Sequence, residues 1–177
     1  MKKLFLIILL VPTIGWGRGF IPRWEISMST DANSFSTSTG SSDYVTLAIR
    51  PGFYIMEGLS IEPEAFWGVA KTSHPELNYS GNLSYGYGMG HNMVVPFVLA
   101  GYGAGNGVPF NQPISRSATF MTGIRFFNAG AGLKVMAIGG RALFRLEYRY
   151  QDFMMVYHKP YSHMFARRVL FGVAVLL

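Results

Sequence analysis

The residues that could form a catalytic site lie near one another toward the carboxyl end of the chain. His158, Ser162 and His163 fall in one short polar segment that follows Glu147. A hydroxyl nucleophile, a histidine base and a carboxylate that orients the base are the groups that acyl hydrolysis requires. This segment makes acyl hydrolysis the candidate activity to weigh.

Metal and phosphate chemistry find less support. No two histidines stand at a helical metal-ligand spacing beside a carboxylate, and cysteine is absent. The run Gly101, Gly103, Gly105 lacks the spacing of a phosphate-binding loop. We therefore expect no catalytic metal and no cofactor. The four histidines, which we interpret as solvated, are His74, His91, His158 and His163.

The elements that must position these groups are strands, because apolar and polar residues alternate along most of the chain. Between residues 142 and 151, apolar side chains occupy one parity and Arg145, Glu147 and Arg149 occupy the other. Period two is the pattern of a strand. Phe126 and Phe127 are adjacent, which predicts a bulge or a different boundary there. The other alternating or apolar segments begin near Trp24, Val45, Leu59, Tyr85, Val94, Phe127 and Val169, giving eight strands.

The composition favours a membrane environment for these strands. Half of the 177 residues are hydrophobic and only 14% are charged, which is apolar for a soluble domain. After the first two dozen positions no apolar run reaches the about 20 residues of a membrane-spanning helix. In a membrane barrel the apolar parity faces lipid and the polar parity faces the lumen. The sequence predicts an all-β, eight-stranded antiparallel transmembrane β-barrel over residues 18–177.

The first residues resemble a secretory signal peptide. Lys2 and Lys3 precede an apolar core over residues 4–14, and Gly15 and Gly17 supply small residues for cleavage. We expect a signal peptide over residues 1–17, cleaved at 17–19, and export of the remainder. The absence of cysteine excludes a disulfide scaffold.

Connections of alternating length follow from the strand assignment. Short turns are predicted near 57–58, 91–92 and 139–140, and longer polar connections at 36–43, 71–82, 106–116 and 154–162. Short turns at one end and longer loops at the other are typical of outer-membrane barrels. Aromatic residues near strand ends predict interfacial girdles. They are Trp24, Tyr44, Phe53, Tyr54, Trp67, Tyr79, Tyr102, Phe153 and Tyr157.

The polar parity carries charges that we assign to the lumen. An eight-stranded barrel has an interior just wide enough for side chains to fill, and an unpaired buried charge is costly. The charges must therefore pair, and a polar plug is favoured over a gate for ions or small solutes. Gly86, Gly88 and Gly90 are predicted to make room for long side chains. The predicted lumen charge network is Arg50, Glu62, Glu64, Lys134, Arg145, Glu147, Arg149 and Arg168.

Three segments give the chain a resemblance to a known family: IRPGFY at 49–54, FNAGAGLK at 127–134 and LEYRYQDF at 146–153. They resemble the outer-membrane protein β-barrel domain family, which includes the small OmpA-like and OmpX-like barrels, over roughly residues 23–177. The resemblance implies fold more than activity. Such barrels usually end in an aromatic residue that the assembly machinery recognises, whereas this chain ends at Leu177.

The resemblance and the pattern together imply an integral outer-membrane protein with a structural or surface-interaction role, monomeric and not an enzyme. Its expected partners are outer-membrane lipid, lipopolysaccharide and, during biogenesis, the barrel assembly machinery. The scattered basic residues, net charge +6, predict no nucleic-acid binding. Two alternatives stay open. One is a lipid A acyl hydrolase, although Asp152 and Phe153 stand where those barrels place histidine and serine; the other is a soluble lipocalin-like carrier with an apolar interior.

Overall fold

The strands predicted from the alternation close into a barrel. The computed structural model describes residues 23–37, 40–70, 76–89, 93–105, 124–137, 141–155 and 163–177. Within these ranges each strand pairs antiparallel with its neighbour in sequence, and the last pairs with the first. The predicted eight-stranded antiparallel barrel is confirmed. The strands are β1 Trp24–Thr37, β2 Gly40–Met56, β3 Leu59–Ala70, β4 Glu76–Gly86, β5 Val94–Gly105, β6 Ile124–Met136, β7 Ala142–Met155 and β8 His163–Leu176.

No helix in the described ranges is long and apolar enough to cross a membrane. The predicted signal peptide, the turns at 91–92 and 139–140 and the connection at 106–116 lie outside the described residues.

The seam between β1 and β8 is the shortest ladder of the barrel. It contains six residue pairs, from Glu25 with Leu176 to Thr30 with Phe171, whereas thirteen pairs join β7 to β8. Just past the last pair, Arg168 on β8 binds Asp31 on β1 through two hydrogen bonds of 2.5 and 2.6 Å. A side-chain bridge thus continues the closure where the backbone ladder stops.

Two predicted connections are wrong because the strands extend into them. β1 and β2 pair as far as Thr37 with Gly40, so most of the predicted loop at 36–43 is strand. β4 begins at Glu76, inside the predicted loop at 71–82. It ends at Gly86, before the end of the strand predicted at 85–90. The inward residues of β4 are Asn78, Ser80, Asn82 and Ser84. A strand whose buried face is polar has the composition of a loop, and for this reason the sequence predicted a loop here.

Of the two alternatives expected near Phe126, a bulge or a different strand boundary, the structure shows the different boundary. β6 starts at Ile124, and Phe126 is buried while Phe127 is exposed, with an unbroken register to both neighbours. β6 therefore begins three residues before the predicted start at Phe127. A register shift occurs instead between Tyr54 and Met56 on β2, next to the confirmed turn at Glu57-Gly58.

Glycines give the lumen its room, but largely on a different strand from the one predicted. Gly86 is buried, whereas Gly88 lies in a turn with φ of 73° and residue 90 lies outside the described ranges. On β5, a Cβ at Gly101, Gly103 or Gly105 would collide with Asn82, Phe126 or Asn78 respectively. The bare wall of β5 therefore accommodates amides and a phenyl ring from neighbouring strands.

Candidate functional site: the polar lumen

The interior of the barrel is filled with charged side chains of both signs. Because successive residues of a strand point to opposite sides, each polar parity of the sequence becomes a column inside the barrel. All eight residues of the predicted lumen network are buried, with at most 3% of each exposed. Two further acids join them. In the part of the chain that the structure describes, the buried bases are Arg50, Lys134, Arg145, Arg149 and Arg168, and the buried acids are Glu25, Asp31, Glu62, Glu64 and Glu147, five of each.

Arg50 occupies the middle of the lumen and links three carboxylates. Its Nη2 donates to Glu64 at 2.7 Å and its Nη1 donates to Glu147 at 3.0 Å. Glu62 lies 3.5 Å from the same Nη1. β2 therefore sends one guanidinium across the barrel to β3 and to β7, which lies five strands further along the chain.

Glu147 is the corresponding acidic centre on β7. Its Oε2 accepts hydrogen bonds from Arg50 and from Arg145 Nε at 3.0 Å, and its Oε1 accepts one from Arg149 Nε at 2.6 Å. Arg149 also donates to Glu64 at 2.7 Å. Charge-assisted hydrogen bonds of this kind are roughly twice as strong as neutral ones. They connect three arginines and two glutamates into one unit: Arg50, Arg145, Arg149, Glu64 and Glu147.

A lysine and a tyrosine extend the network toward the end of the barrel that carries the Glu57-Gly58 turn, here called the turn end. Lys134 Nζ lies 2.8 Å from Glu25 and 3.0 Å from the Tyr54 hydroxyl. That hydroxyl donates to Glu25. The ammonium also lies 5.4 Å from the centre of the Tyr54 ring, within cation–π distance.

Amides extend the network toward the opposite end, here called the loop end. Asn82 donates to Glu64 at 3.1 Å and accepts from Asn128, which in turn accepts from Gln151. Arg168 donates to Gln151 at 3.3 Å and holds Asp31. Hydrogen bonds thus run continuously from Lys134 to Asp31.

A cluster of buried apolar residues lies near each end of the charged network. At the loop end the ring of Phe126 contacts Phe66 and Phe153, with centroids 5.6 and 5.1 Å apart; at the turn end Leu143 and Leu176 pack with Tyr54. The charged centre thus lies between two groups of buried apolar side chains. The loop-end cap comprises Ala48, Phe66, Ile124, Phe126, Phe153 and Ala166.

The outer wall is apolar on every strand. Large hydrophobic side chains that would be buried in a soluble sheet are exposed around the whole circumference. Trp24, Trp67 and Tyr102 point outward as the girdle prediction requires, but Tyr54 and Phe153 point inward. One exposed residue from each strand, β1 to β8 in order, is Ile26, Val45, Ile61, Leu83, Val98, Leu133, Leu146 and Val173.

The candidate hydrolase residues do not form a site in the described part of the chain. Glu147 is 1% exposed and bonded to three arginines, while His163 is the first residue of β8. Residues 158 and 162 lie outside the described ranges. No group of histidines and carboxylates in those ranges could hold a metal ion.

Sequence reasoning missed several members of the network. Glu25 and Asp31 continue the inward parity of β1, and Asn82 lay in a predicted loop. Asn128 and Gln151 share their parity with Lys134 and Glu147 and could have been found by extending those columns. The inward apolar residues of the two caps break the polar parity, and no pattern in the sequence marks them.

Comparison with known proteins supports the fold. No protein-family model and no curated protein sequence matches the chain. Neisserial surface protein A (NspA) is similar in structure, with a TM-score of 0.61 and 14% identity over 86% of this chain and 96% of that one. The N-terminal β-barrel domain of Pseudomonas aeruginosa OprF has a TM-score of 0.55 and 16% identity, over 88% and 97%. The resemblance to small OmpA-like and OmpX-like barrels is thus confirmed at the level of the fold.

Proposed function

We propose that the chain is an integral outer-membrane β-barrel, exported after removal of residues 1–17, with a structural or surface-interaction role. One observation carries this proposal: large exposed apolar side chains on all eight strands surround a charge-balanced polar interior. That is the reverse of a soluble protein, and it is the arrangement that a lipid environment stabilises.

The height of the apolar wall supports a membrane-spanning role. Four residues of β8 and the residue that follows it are exposed on the outside: Val169, Phe171, Val173, Val175 and Leu177. Eight residues at about 3.3 Å each, tilted by about 40°, cover about 20 Å along the barrel axis. The apolar band of outer-membrane barrels is about 25 Å tall, so this stripe accounts for most of it.

The interior supports a plug and not a pore. Among the described residues, hydrogen bonds and ion pairs link five buried bases to five buried acids, and a buried apolar cluster flanks the network at each end. An ion that entered would have to break buried pairs, each costly to separate. A soluble lipocalin-like carrier would need an apolar interior around its ligand, and the charged lumen argues against it.

The environment of Glu147 argues against acyl hydrolysis. A carboxylate that orients a histidine must be free to accept its hydrogen bond, whereas both oxygens of Glu147 already bind guanidinium groups. We expect the intact protein, Ser162→Ala and His163→Ala all to leave lipid A acyl chains unchanged by mass spectrometry. Hydrolysis by the intact protein that disappears in both variants would overturn the non-enzymatic assignment.

Fractionation of expressing cells tests the proposal itself. The protein should sediment with outer membranes and need detergent to stay in solution. Its gel mobility should change on boiling, because the folded barrel resists unfolding until the sample is boiled. It should be monomeric in detergent, with lipid and lipopolysaccharide as its surroundings and the assembly machinery as its partner in biogenesis. Recovery from the periplasm as a detergent-free soluble protein would refute the membrane role.

A further inference from the structure

Two arginines interrupt the apolar outer wall near the loop end. Arg125 on β6 and Arg167 on β8 point outward and are exposed. On each strand the other outward residues toward the turn end are apolar. Neither arginine belongs to the lumen network, which lies on the opposite parity of the same strands.

Each arginine lies at the same residue distance from the turn-end limit of the outward apolar stripe on its own strand. Arg125 is ten residues from Val135, the last outward apolar residue of β6, and Arg167 is ten residues from Leu177. Ten residues at about 3.3 Å, tilted by about 40°, cover about 25 Å of barrel height, which matches the apolar band. Both side chains therefore start at the edge of this band on the loop side.

β7 lies between the strands that carry the two arginines, and all three strands contribute aromatic residues to this part of the outer wall. Tyr150 is the cross-strand partner of Arg167, and it stacks on Phe165 with centroids 5.7 Å apart and planes at 23°. Phe127, two residues from Arg125 on the same face, pairs with Asp152. Asp152 is half-buried, and its single carboxylate is outnumbered by the two guanidinium groups.

We propose that Arg125 and Arg167 bind phosphate groups of lipid in the loop-side leaflet. This inference rests on the proposed membrane function. A guanidinium presents a planar fork that matches phosphate oxygens, and stacked aromatic rings at the same level are typical of the headgroup region. The lipid chains would lie along the apolar residues of β6 to β8 below the arginines.

The opposite end of the barrel provides a matched control. Arg23, just before β1, and Arg141, just before β7, are also exposed arginines. They lie at the turn end, where Leu176 N donates to the carbonyl of Arg141. Their replacement removes the same charge from the other side of the membrane.

The test measures lipid binding to the folded barrel in neutral detergent micelles by native mass spectrometry. The probes are diphosphorylated lipid A, the same lipid after removal of its phosphates, and inorganic phosphate as a competitor. The variants are Arg125→Gln, Arg167→Gln, both together, and Arg23→Gln with Arg141→Gln. Gel mobility without boiling verifies folding, and the single variants keep the comparison available if the double variant does not fold.

We expect the intact protein to prefer the phosphorylated lipid, and loss of both loop-side arginines to weaken its binding roughly tenfold or more. Each single variant should fall between, and the turn-end pair should bind as the intact protein does. Equal binding of both lipids, or undiminished binding by the Arg125 and Arg167 variants, would overturn the proposal. Displacement of lipid A by equimolar inorganic phosphate would assign the site to free phosphate and would overturn the proposal that its ligand is a lipid. Failure of the membrane role itself would show separately, as a protein that is soluble without detergent.

Discussion

The two faces of β7 have opposite chemistry although their residues alternate along one strand. Phe144, Leu146 and Tyr148 are 59%, 43% and 51% exposed, whereas Glu147 and Arg149 between and beside them are each 1% exposed. In water this strand would expose its apolar half and bury its charges, both unfavourable. The folded strand therefore requires two conditions at once: the charges on its inner face must be paired, and its outer face must contact lipid.

Breaking the inner face should have the largest effect. Glu147→Gln keeps the shape of the side chain but removes the charge that three arginines share. Removing one partner of a buried ion pair costs about 3–5 kcal/mol, so the free energy of unfolding in lipid should fall by that order. The barrel should still assemble, because the backbone ladder is unchanged. Denaturant titration in vesicles, followed by the gel-mobility shift, measures the loss.

Glu57→Gln is the matched control for this prediction. It makes the same chemical change at an exposed position of the β2–β3 turn, where surface charges contribute about 0–1 kcal/mol. A loss of stability at position 57 equal to that at 147 would contradict the buried network as the source of the effect.

A charge on the outer face should be the next most damaging change. Tyr148→Arg places a guanidinium in lipid, at a cost of about 2–4 kcal/mol near the membrane midplane. Insertion into vesicles should slow and the equilibrium stability fall, while Tyr148→Phe should leave both nearly unchanged. If Tyr148→Arg were tolerated while Glu147→Gln abolished insertion, the inside and outside faces would have been assigned the wrong way round.

The smallest effect separates packing inside the barrel from contact with lipid outside it. Ile124 is fully buried in the loop-end cap, whereas Ile61 is 46% exposed on the outer wall. Ile124→Val should cost about 0.5–1.5 kcal/mol because the interior cannot refill the space. Ile61→Val should cost less, since lipid chains adapt to the lost methyl group. Equal losses in the same vesicle titration would mean that the cap is not tightly packed.

The fold could be predicted because its strongest signal, alternation between apolar and charged residues, is local. Arg145, Glu147 and Arg149 on one parity of β7 indicate both the strand and its inward face, and the same reasoning located the remaining charges of the predicted network. The pairing partners could not be predicted. The contact of Arg50 with Glu147 joins residues 97 positions apart and depends on the register of all the strands between them.

Strand limits failed where the inward face is uncharged. Asn78, Ser80 and Asn82 on β4 are residue types common in loops. Phe126 and Phe153 are residue types expected on the lipid-facing side of a strand. Their positions follow from packing across the lumen, such as the space that Gly103 leaves for Phe126. No neighbouring residue in the sequence carries that information.

The most direct test of the account maps lipid contact along β8. The chain has no cysteine, so single cysteines can carry a nitroxide whose collisions with oxygen in the bilayer are measured by electron paramagnetic resonance. Labels at Val169, Phe171, Val173 and Val175 should collide freely with oxygen, and labels at Leu170 and Ala174 should be shielded. Oxygen access should therefore alternate along β8, high at the odd-numbered positions and low at the even-numbered ones. Alternation of the opposite phase, or uniform access along the strand, would contradict a lipid-facing apolar wall around a closed polar lumen.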